Sequence, residues 1–156
     1  MHRETDVDLP FTRELAIAHQ VPLSFHPKPG TILVCDYDTG FRPPEMVKRR
    51  PAVVISPRLR RRDGLCTVVP LSGTAPIPPE AYHWPLELKR ALPKPWNSDR
   101  FWVKADMLAT VAFHRLELIS LGRDQEGKRK YLNFQVKEEV LASIRQCVLY
   151  ALGIHR

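Results

Sequence analysis

Short runs of apolar and β-branched residues, bounded by glycine, proline and polar residues, fill most of the chain from residue 30 to residue 113. Runs of this length are typical of strands and are too short for helices. Pro85 lies within one run, and because proline cannot donate to a strand ladder, that strand is expected at a sheet edge. The pair Asp63-Gly64 predicts a hairpin turn between two others. The predicted strands are 31–36, 51–56, 65–71, 84–88, 101–103 and 109–113.

One longer pattern near the end of the chain has the period of a helix. Its apolar residues recur four positions apart and mark one face, at Val136, Val140, Ile144, Val148 and Leu152. Asn133 is placed to cap the start of this helix and Gly153 to end it, while the polar segment 123–129 predicts a loop. Many short strands followed by one long helix predict a mainly β fold, in which a small β-barrel packs its apolar face against the helix.

The chain of 156 residues, 44% of them hydrophobic, suits one domain with its own core. A proline-bracketed N-terminal extension, 1–27, precedes the predicted body, 28–156. No apolar stretch approaches the roughly 20 residues that a membrane-spanning helix needs, and the amino terminus lacks the apolar run of a secretion signal. Cys35, Cys66 and Cys147 are scattered, and we expect free thiols in a reducing cytosol. These features predict a cytoplasmic protein without a membrane association.

The formal net charge is +7, and the basic residues are clustered at 48–50, 58–62 and 128–130. A domain this basic attracts polyanions, so the clusters favour nucleic-acid binding if suitable chemistry lies beside them. Three solvated loops would explain the same clusters, and the charge alone does not separate the two interpretations.

Several common kinds of site leave no signature here. The sequence has no glycine-rich phosphate loop, no HExxH and no paired-cysteine zinc pattern, so neither a metal nor a cofactor is expected. Cations and hydroxyls instead stand at strand boundaries: Arg50 precedes the second predicted strand, and Ser72 follows the third. Lys104 and Asp106 follow the strand 101–103, and in an extended segment they would face one side, able to meet one phosphate. The same spacing is typical of a surface ion pair.

Four blocks of sequence, taken in order, are similar to one known family. They are 30–37 (GTILVCDY), 50–56 (RPAVVIS), 69–72 (VPLS) and 103–106 (VKAD). From about Gly30 to Val111 the chain resembles the MazF/PemK endoribonuclease toxins of type II toxin–antitoxin systems, with the terminal helix in the expected place.

The resemblance implies an SH3-like small β-barrel with a long C-terminal helix, expected to form a homodimer. It also implies a toxin that cleaves single-stranded RNA, chiefly mRNA, and that a cognate antitoxin inhibits, the complex binding DNA. Arg50 matches the family's active-site arginine, Ser72 its hydroxyl residue, Asp106 its candidate acid and Glu45 the acid in the preceding loop. Lys104 stands where some members carry a second arginine, and lysine cannot clamp a phosphate bidentately. The extension 1–27 and the segment 74–98 exceed the compact family pattern.

The implied reaction needs no metal and uses the 2′-hydroxyl of RNA as nucleophile, giving 2′,3′-cyclic phosphate and 5′-hydroxyl ends. Asp106, helped or replaced by Glu45, is the expected base, and Arg50 is expected to hold the phosphate. Lys104 is the expected proton donor to the leaving oxygen, and Ser72 is expected to position the phosphate. Residues expected to bind the RNA backbone are Lys48, Arg49, Arg58, Arg60, Arg61 and Arg62. Candidate platforms for stacked bases are Tyr82, Trp84, Trp96 and Trp102.

Each candidate also has a plainer interpretation. Arg50 could cap a loop carbonyl, Ser72 could be a turn serine, and Glu45 could belong to the loop surface. For the whole chain, two other functions stay open: a non-catalytic barrel that binds nucleic acid, and a barrel toxin that poisons DNA gyrase.

Overall fold

The computed structural model describes residues 23–154. Its elements in chain order are β1 (Ile32–Asp36), β2 (Arg49–Val54), β3 (Leu65–Ser72), β4 (His83–Glu87), β5 (Arg100–Lys104), β6 (Ala109–Ala112), β7 (Leu116–Glu117), β8 (Ile119–Arg123), β9 (Arg129–Leu132) and the helix α1 (Glu138–Ala151). Two short 3-10 turns, Ala105–Met107 and Phe113–Arg115, flank β6. The predicted mainly β fold with one C-terminal helix is confirmed.

Antiparallel pairing joins seven strands into one sheet, in the order β4-β5-β3-β2-β1-β7 with β6 added beside β3. Strand β4, which contains Pro85, lies at an edge, as its proline predicts. Within residues 23–154 no ladder joins β4 to β7 at the opposite edge, so the sheet is not closed. The strands of the predicted small barrel thus form a sheet that does not close on itself over the described residues.

Strand β3 organises the sheet by changing partner along its length. One edge pairs with β2 from Val68 to Pro70. The other edge pairs first with β6, from Leu65 to Val68, and then with β5 at Leu71 and Ser72. Between these two pairings, residues 69 and 70 have no partner on this edge, and Pro70 has no amide hydrogen to donate. As a result, β5 meets the end of β3 that lies beside the beginning of β2.

Alternation along the strands builds two hydrophobic cores, one on each face of the sheet. Val53 and Val103 contribute to the first core, whereas Ala52 and Val54 contribute to the second. Residues that pair directly on neighbouring antiparallel strands, such as Leu71 and Val103, share a face. This rule decides which candidate residues lie together.

Helix α1 covers the first core with its buried residues Leu141, Ile144, Cys147 and Val148. Gly153 follows the helix with a φ of 75°, a left-handed conformation that glycine adopts readily, so its predicted role at the end of the helix is confirmed. The predicted cap at Asn133 is wrong, because the chain up to Val136 runs along the sheet and the helix begins only after Lys137. Leu152, predicted on the buried face, is 57% exposed.

Strands β8 and β9 are absent from the sequence-based prediction, which placed a loop over 123–129. They pair only with each other, so no buried apolar run marks them. Strand β2 begins at Arg49, so Arg50 lies within the strand and not before it.

The last residues of the predicted N-terminal extension that the structure describes lie against the body. Leu23 is buried in the second core, and the His26 ring meets the Phe113 ring edge-on at 5.7 Å. The predicted turn around Phe11, Leu15 and Ala18 lies outside the described residues, and the boundary at 27/28 stays a prediction. None of the helices described between residues 23 and 154 is long and apolar enough to span a membrane.

Candidate active site

Three candidate positions form one row across strands β2, β3 and β5. Ser72 pairs directly with Trp102. The register of β2 and β3 joins Ala52 to Pro70, and its continuation by two residues puts Arg50 beside Ser72. Arg50 also shares its face with Ala52, and Trp102 lies opposite to the core-facing Val103. The row therefore brings Arg50, Ser72 and Trp102 onto one face, with adjacent strands about 5 Å apart.

The Arg50 guanidinium is held by its own loop at one nitrogen only. Its Nε donates a hydrogen bond of 2.8 Å to the Val47 carbonyl oxygen. The plainer interpretation, in which Arg50 caps a loop carbonyl, thus accounts for only one of its three nitrogens. The two terminal amino groups have no hydrogen bond or ion pair within residues 23–154. These two groups have the spacing that a phosphate binds bidentately.

Lys104 lies one step from this row. It ends β5 opposite His83, and alternation places it on the Trp102 face. Its side chain is half-buried, and it has no ion pair among the residues that the structure describes. Asp106 follows in the 3-10 turn Ala105–Met107 and is exposed. The surface ion pair of the plainer interpretation is not formed between Lys104 and Asp106.

The Ser72 hydroxyl is part of a turn. Its Oγ accepts a hydrogen bond of 3.2 Å from the Thr74 amide, and the residue is only 3% exposed. Its contact to the Thr74 carbonyl oxygen, at 3.5 Å, is at the limit of hydrogen bonding. The position thus shapes the start of the connection between β3 and β4, in agreement with the turn-serine interpretation.

Glu45 lies in the connection from β1 to β2, ahead of Arg50. Its Oε2 accepts a hydrogen bond of 2.8 Å from the Arg42 amide, and its own amide donates one of 2.8 Å to the Arg42 carbonyl oxygen. The side chain is exposed. Its carboxylate holds the loop in shape, as the loop-surface interpretation has it.

The basic residues of the sequence divide into two groups in space. Lys48 and Arg49 adjoin Arg50, and Arg49 forms an ion pair with Glu117. Residues 58–62 lie beyond the opposite end of β2, and the stretch from Arg50 to Val54 alone spans roughly 13 Å. The structure therefore does not bring the arginine loop, residues 58–62, beside Arg50. In that loop Arg58 pairs with Asp63 at 3.2 Å, and the arginines without an ion pair among the described residues are Arg60, Arg61 and Arg62.

Comparison with known proteins places the chain in a family. A family model described as PemK-like, MazF-like toxin of type II toxin–antitoxin system matches residues 28–148. The chain belongs to this toxin family. An uncharacterised protein of Haemophilus influenzae is 32% identical to it over 138 residues, which cover 81% of this chain and 90% of the relative.

Solved structures share the fold of this PemK-like, MazF-like toxin. A mycobacterial endoribonuclease in complex with its cognate antitoxin has a TM-score of 0.57 and 19% identity, over 84% of this chain and 99% of that one. MazF from Deinococcus radiodurans has a TM-score of 0.55 and 21% identity, over 83% of this chain and 99% of that one. At this level of identity the likeness concerns the fold.

Beneath the site of this PemK-like, MazF-like toxin lies Tyr37, which sequence reasoning did not single out. It is fully buried, and its hydroxyl has no hydrogen-bond partner within residues 23–154. Burial raises the pKa of Tyr37 well above its usual range, and the positive charge of Arg50 acts in the opposite direction. Burial likewise raises the pKa of the neighbouring Cys35 thiol to about 12. The sequence shows that Tyr37 directly follows β1, but its burial beside the site could not be predicted from that position.

The three cysteines are free, as predicted, and all three are buried. Across residues 23–154 no group of three or more histidine, cysteine, aspartate or glutamate residues is arranged to hold a metal ion.

Proposed function

We propose that this toxin is an endoribonuclease that cleaves single-stranded RNA. The observation that carries the proposal is a pair of half-buried cations, Arg50 on β2 and Lys104 on β5, which lie on one face of the sheet on either side of β3 and have no carboxylate partner among the described residues. Partly buried cations are usually paired, because burial removes part of their hydration. An RNA phosphate is the anion that this arrangement fits.

In the proposed reaction the 2′-hydroxyl of the substrate attacks the adjacent phosphorus while the bond from phosphorus to the 5′-oxygen breaks. Asp106 takes the proton of the 2′-hydroxyl, and Lys104 gives a proton to the leaving 5′-oxygen. The two terminal amino groups of Arg50 stabilise the charge that develops on the phosphate oxygens. The products are a 2′,3′-cyclic phosphate and a 5′-hydroxyl end, and the protein side chains perform every proton transfer without a metal.

Two predicted site residues receive supporting roles in this proposal. Ser72 acts through the turn that its hydroxyl forms with the Thr74 amide, which fixes the backbone beside Arg50. Glu45 acts through the loop that its carboxylate holds at the Arg42 amide. Asp106 is then the base, since its carboxylate is exposed and has no ion pair in the part of the chain that the structure describes.

The net charge of +7 supports RNA binding through the phosphate backbone. Lys48 and Arg49 would contact phosphates next to the cut. The arginine loop would contact the RNA farther from the cut, because the loop lies beyond the other end of β2. Such contacts give affinity that falls with salt and carries no sequence preference.

A cognate antitoxin and a second copy of the chain are the proposed protein partners. Membership of a toxin–antitoxin family supports the first, and the mycobacterial neighbour was solved with its cognate antitoxin. Binding of the antitoxin across the Arg50 face would block RNA.

The deciding experiment is incubation of the purified protein with an end-labelled single-stranded RNA in EDTA, followed by mapping of the new ends. Discrete cuts with cyclic phosphate and 5′-hydroxyl ends are expected, and they should disappear when the cognate antitoxin is added. RNA that is bound but stays whole would instead indicate a non-catalytic binding protein. Gyrase–DNA adducts with intact RNA would indicate a gyrase poison.

A further inference from the structure

A cavity of about 470 Å³ lies on the outer face of the β4–β5 hairpin, directly beside the turn that Ser72 forms. The residues that matter for its shape are Gly73, Ala75, Pro85, Glu87, Arg100 and Trp102. Ser72 pairs with Trp102, so one end of this cavity adjoins the row that contains Arg50. The cavity is thus a continuation of the candidate active site along the sheet.

Trp102 differs from the other two tryptophans of the chain. Trp84 and Trp96 pack against the first core. Trp102 lies on the opposite face of β5 from Phe101 and Val103, is half-exposed, and belongs to neither core. A large aromatic ring left beside a cavity, without a core to fill, is free to stack on a planar ligand.

The surroundings of Trp102 have the dimensions and chemistry of a site for a planar ring. Pro85 lies directly across from Trp102 in the adjacent strand. On the opposite side Gly73 leaves open space, since a Cβ added there would meet no atom within 4 Å. At the far end Glu87 pairs with Arg100 in register, their charged atoms 4.0 Å apart, which offers an acceptor and a donor side by side.

We propose that this cavity binds one unstacked nucleobase of the RNA, next to the scissile phosphate. Trp102 stacks on the base, and Arg100 and Glu87 form hydrogen bonds to its edge, which makes them specificity-determining residues. Single-stranded RNA is recognised in this way, through splayed bases that stack on aromatic side chains. The inference rests on the proposed endoribonuclease function and names the place where its sequence preference arises.

The test compares Trp102→Leu and Trp102→Phe with the wild type, using an RNA that carries a 2′-O-methyl group at the mapped cut site and is therefore bound but not cleaved. We expect the affinity of Trp102→Leu to fall about tenfold and that of Trp102→Phe to change little, because phenylalanine still stacks. Tyr131→Leu is the matched control, since Tyr131 is an exposed aromatic residue of the separate β8–β9 hairpin, and it should bind like the wild type.

A second arm replaces single nucleotides around the cut with abasic ones. In the wild type one abasic position should cost about the same tenfold, and that position should cost nothing further in Trp102→Leu. The proposal would be overturned if the abasic position and Trp102→Leu lowered the RNA affinity independently, so that their effects added. It would also be overturned if a folded Trp102→Leu bound RNA as tightly as the wild type. A changed number of subunits with retained RNA affinity would also overturn it. If Trp102→Leu does not fold, the abasic series on the wild type decides alone. The proposal is then overturned if no abasic position lowers the affinity of the wild type.

The two proposals fail differently. Wild-type protein that binds ordinary single-stranded RNA through Trp102 but leaves it whole would refute the endoribonuclease and keep the base site. Wild-type protein that cuts RNA, while Trp102→Leu keeps its affinity and its cutting pattern, would refute the base site alone.

Discussion

The Nε atom of Arg50 donates to the carbonyl oxygen of Val47, three residues earlier in the chain, at 2.8 Å. One nitrogen of the guanidinium therefore fixes its orientation, and the other two have no hydrogen bond or ion pair within residues 23–154. A planar group held in this manner loses little freedom when it binds a phosphate. The loop before β2 thus orients the guanidinium that we propose binds the phosphate.

Replacement of Arg50 tests this role. Arg50→Ala should lower the single-turnover rate of RNA cleavage by about 10²–10³, since it removes the group that stabilises the developing charge. Arg50→Lys should recover only a small part, because lysine lacks the planar fork. Rates on a labelled RNA and melting curves give the answer, with Arg90→Ala, at an exposed arginine in the connection between β4 and β5, as the control. Cleavage by Arg50→Ala at the wild-type rate would remove Arg50 from the mechanism.

Asp106 has a matched partner for a test of the proposed base. Asp106→Asn should reduce cleavage by about 10²–10⁴ and leave RNA affinity nearly unchanged. Asp99, an exposed carboxylate just before β5, is the control, and Asp99→Asn should cleave normally. Single-turnover kinetics with saturating protein separate the rate from the affinity. Equal rates for the two variants would assign the base elsewhere, with Glu45 as the next residue to replace.

The arginine loop offers a test of the electrostatic part of the proposal. Arg60, Arg61 and Arg62 have no ion pair among the described residues, so their joint replacement by alanine should weaken RNA binding. For every phosphate that the variant no longer neutralises, the slope of log affinity against log salt should become shallower by about 0.7. Binding titrations at several salt concentrations measure this slope. A slope equal to that of the wild type would show that the loop stays clear of the RNA.

Arg115 stabilises the loop that leads to the site. Its Nη1 donates to the carbonyl oxygens of Asp36, at 3.2 Å, and Thr39, at 2.6 Å, and its guanidinium lies 4.9 Å from the centre of the Phe41 ring. Arg115→Ala should lower the free energy of unfolding by about 1–3 kcal/mol and speed proteolysis within 37–48. Urea titration and limited proteolysis measure the two effects. A variant as stable and as resistant as the wild type would contradict this account.

Two buried thiols make stability depend on alkaline pH. Burial raises the pKa of Cys35 from 9.0 to about 12 and that of Cys66 from 9.0 to about 11. Below pH 9 both states hold the proton and stability is unaffected. Above it the unfolded chain releases the proton first, so stability should fall by up to about 1.4 kcal/mol per pH unit for each thiol.

Urea titrations at about pH 8, 9 and 10 measure this fall in the free energy of unfolding. In Cys35→Ala the free energy should fall less steeply with pH than in the wild type. An identical pH dependence in the variant would show that Cys35 takes no part.

The sequence allowed the central strands and the helix to be predicted, because buried β-branched runs and a four-residue period depend only on local pattern. It did not allow β8 and β9 to be predicted, since they pair with each other outside the main sheet. The start of α1 depends on long-range contacts of residues 134–136, such as the hydrogen bond from the Val136 amide to the Gly30 carbonyl oxygen. Asn133, a good cap in isolation, is overruled by that pairing.

The candidate site was predictable in part for the same reason. Arg50, Ser72 and Lys104 could be named from their sequence blocks, whereas their common face follows only from the register of three strands. The free terminal amino groups of Arg50, the occupied hydroxyl of Ser72 and the half-exposed ring of Trp102 depend on loop conformations that no local pattern encodes.

The turn at Ser72 ends the last strand segment that both cores share, and everything between it and β4 lies outside them. Insertions or deletions after Gly73 would alter the wall of the Trp102 cavity while the buried residues of β2, β3 and β5 stay where they are. If the Trp102 cavity binds a base as proposed, changes in this one connection would alter the preferred RNA sequence and leave the folded core intact.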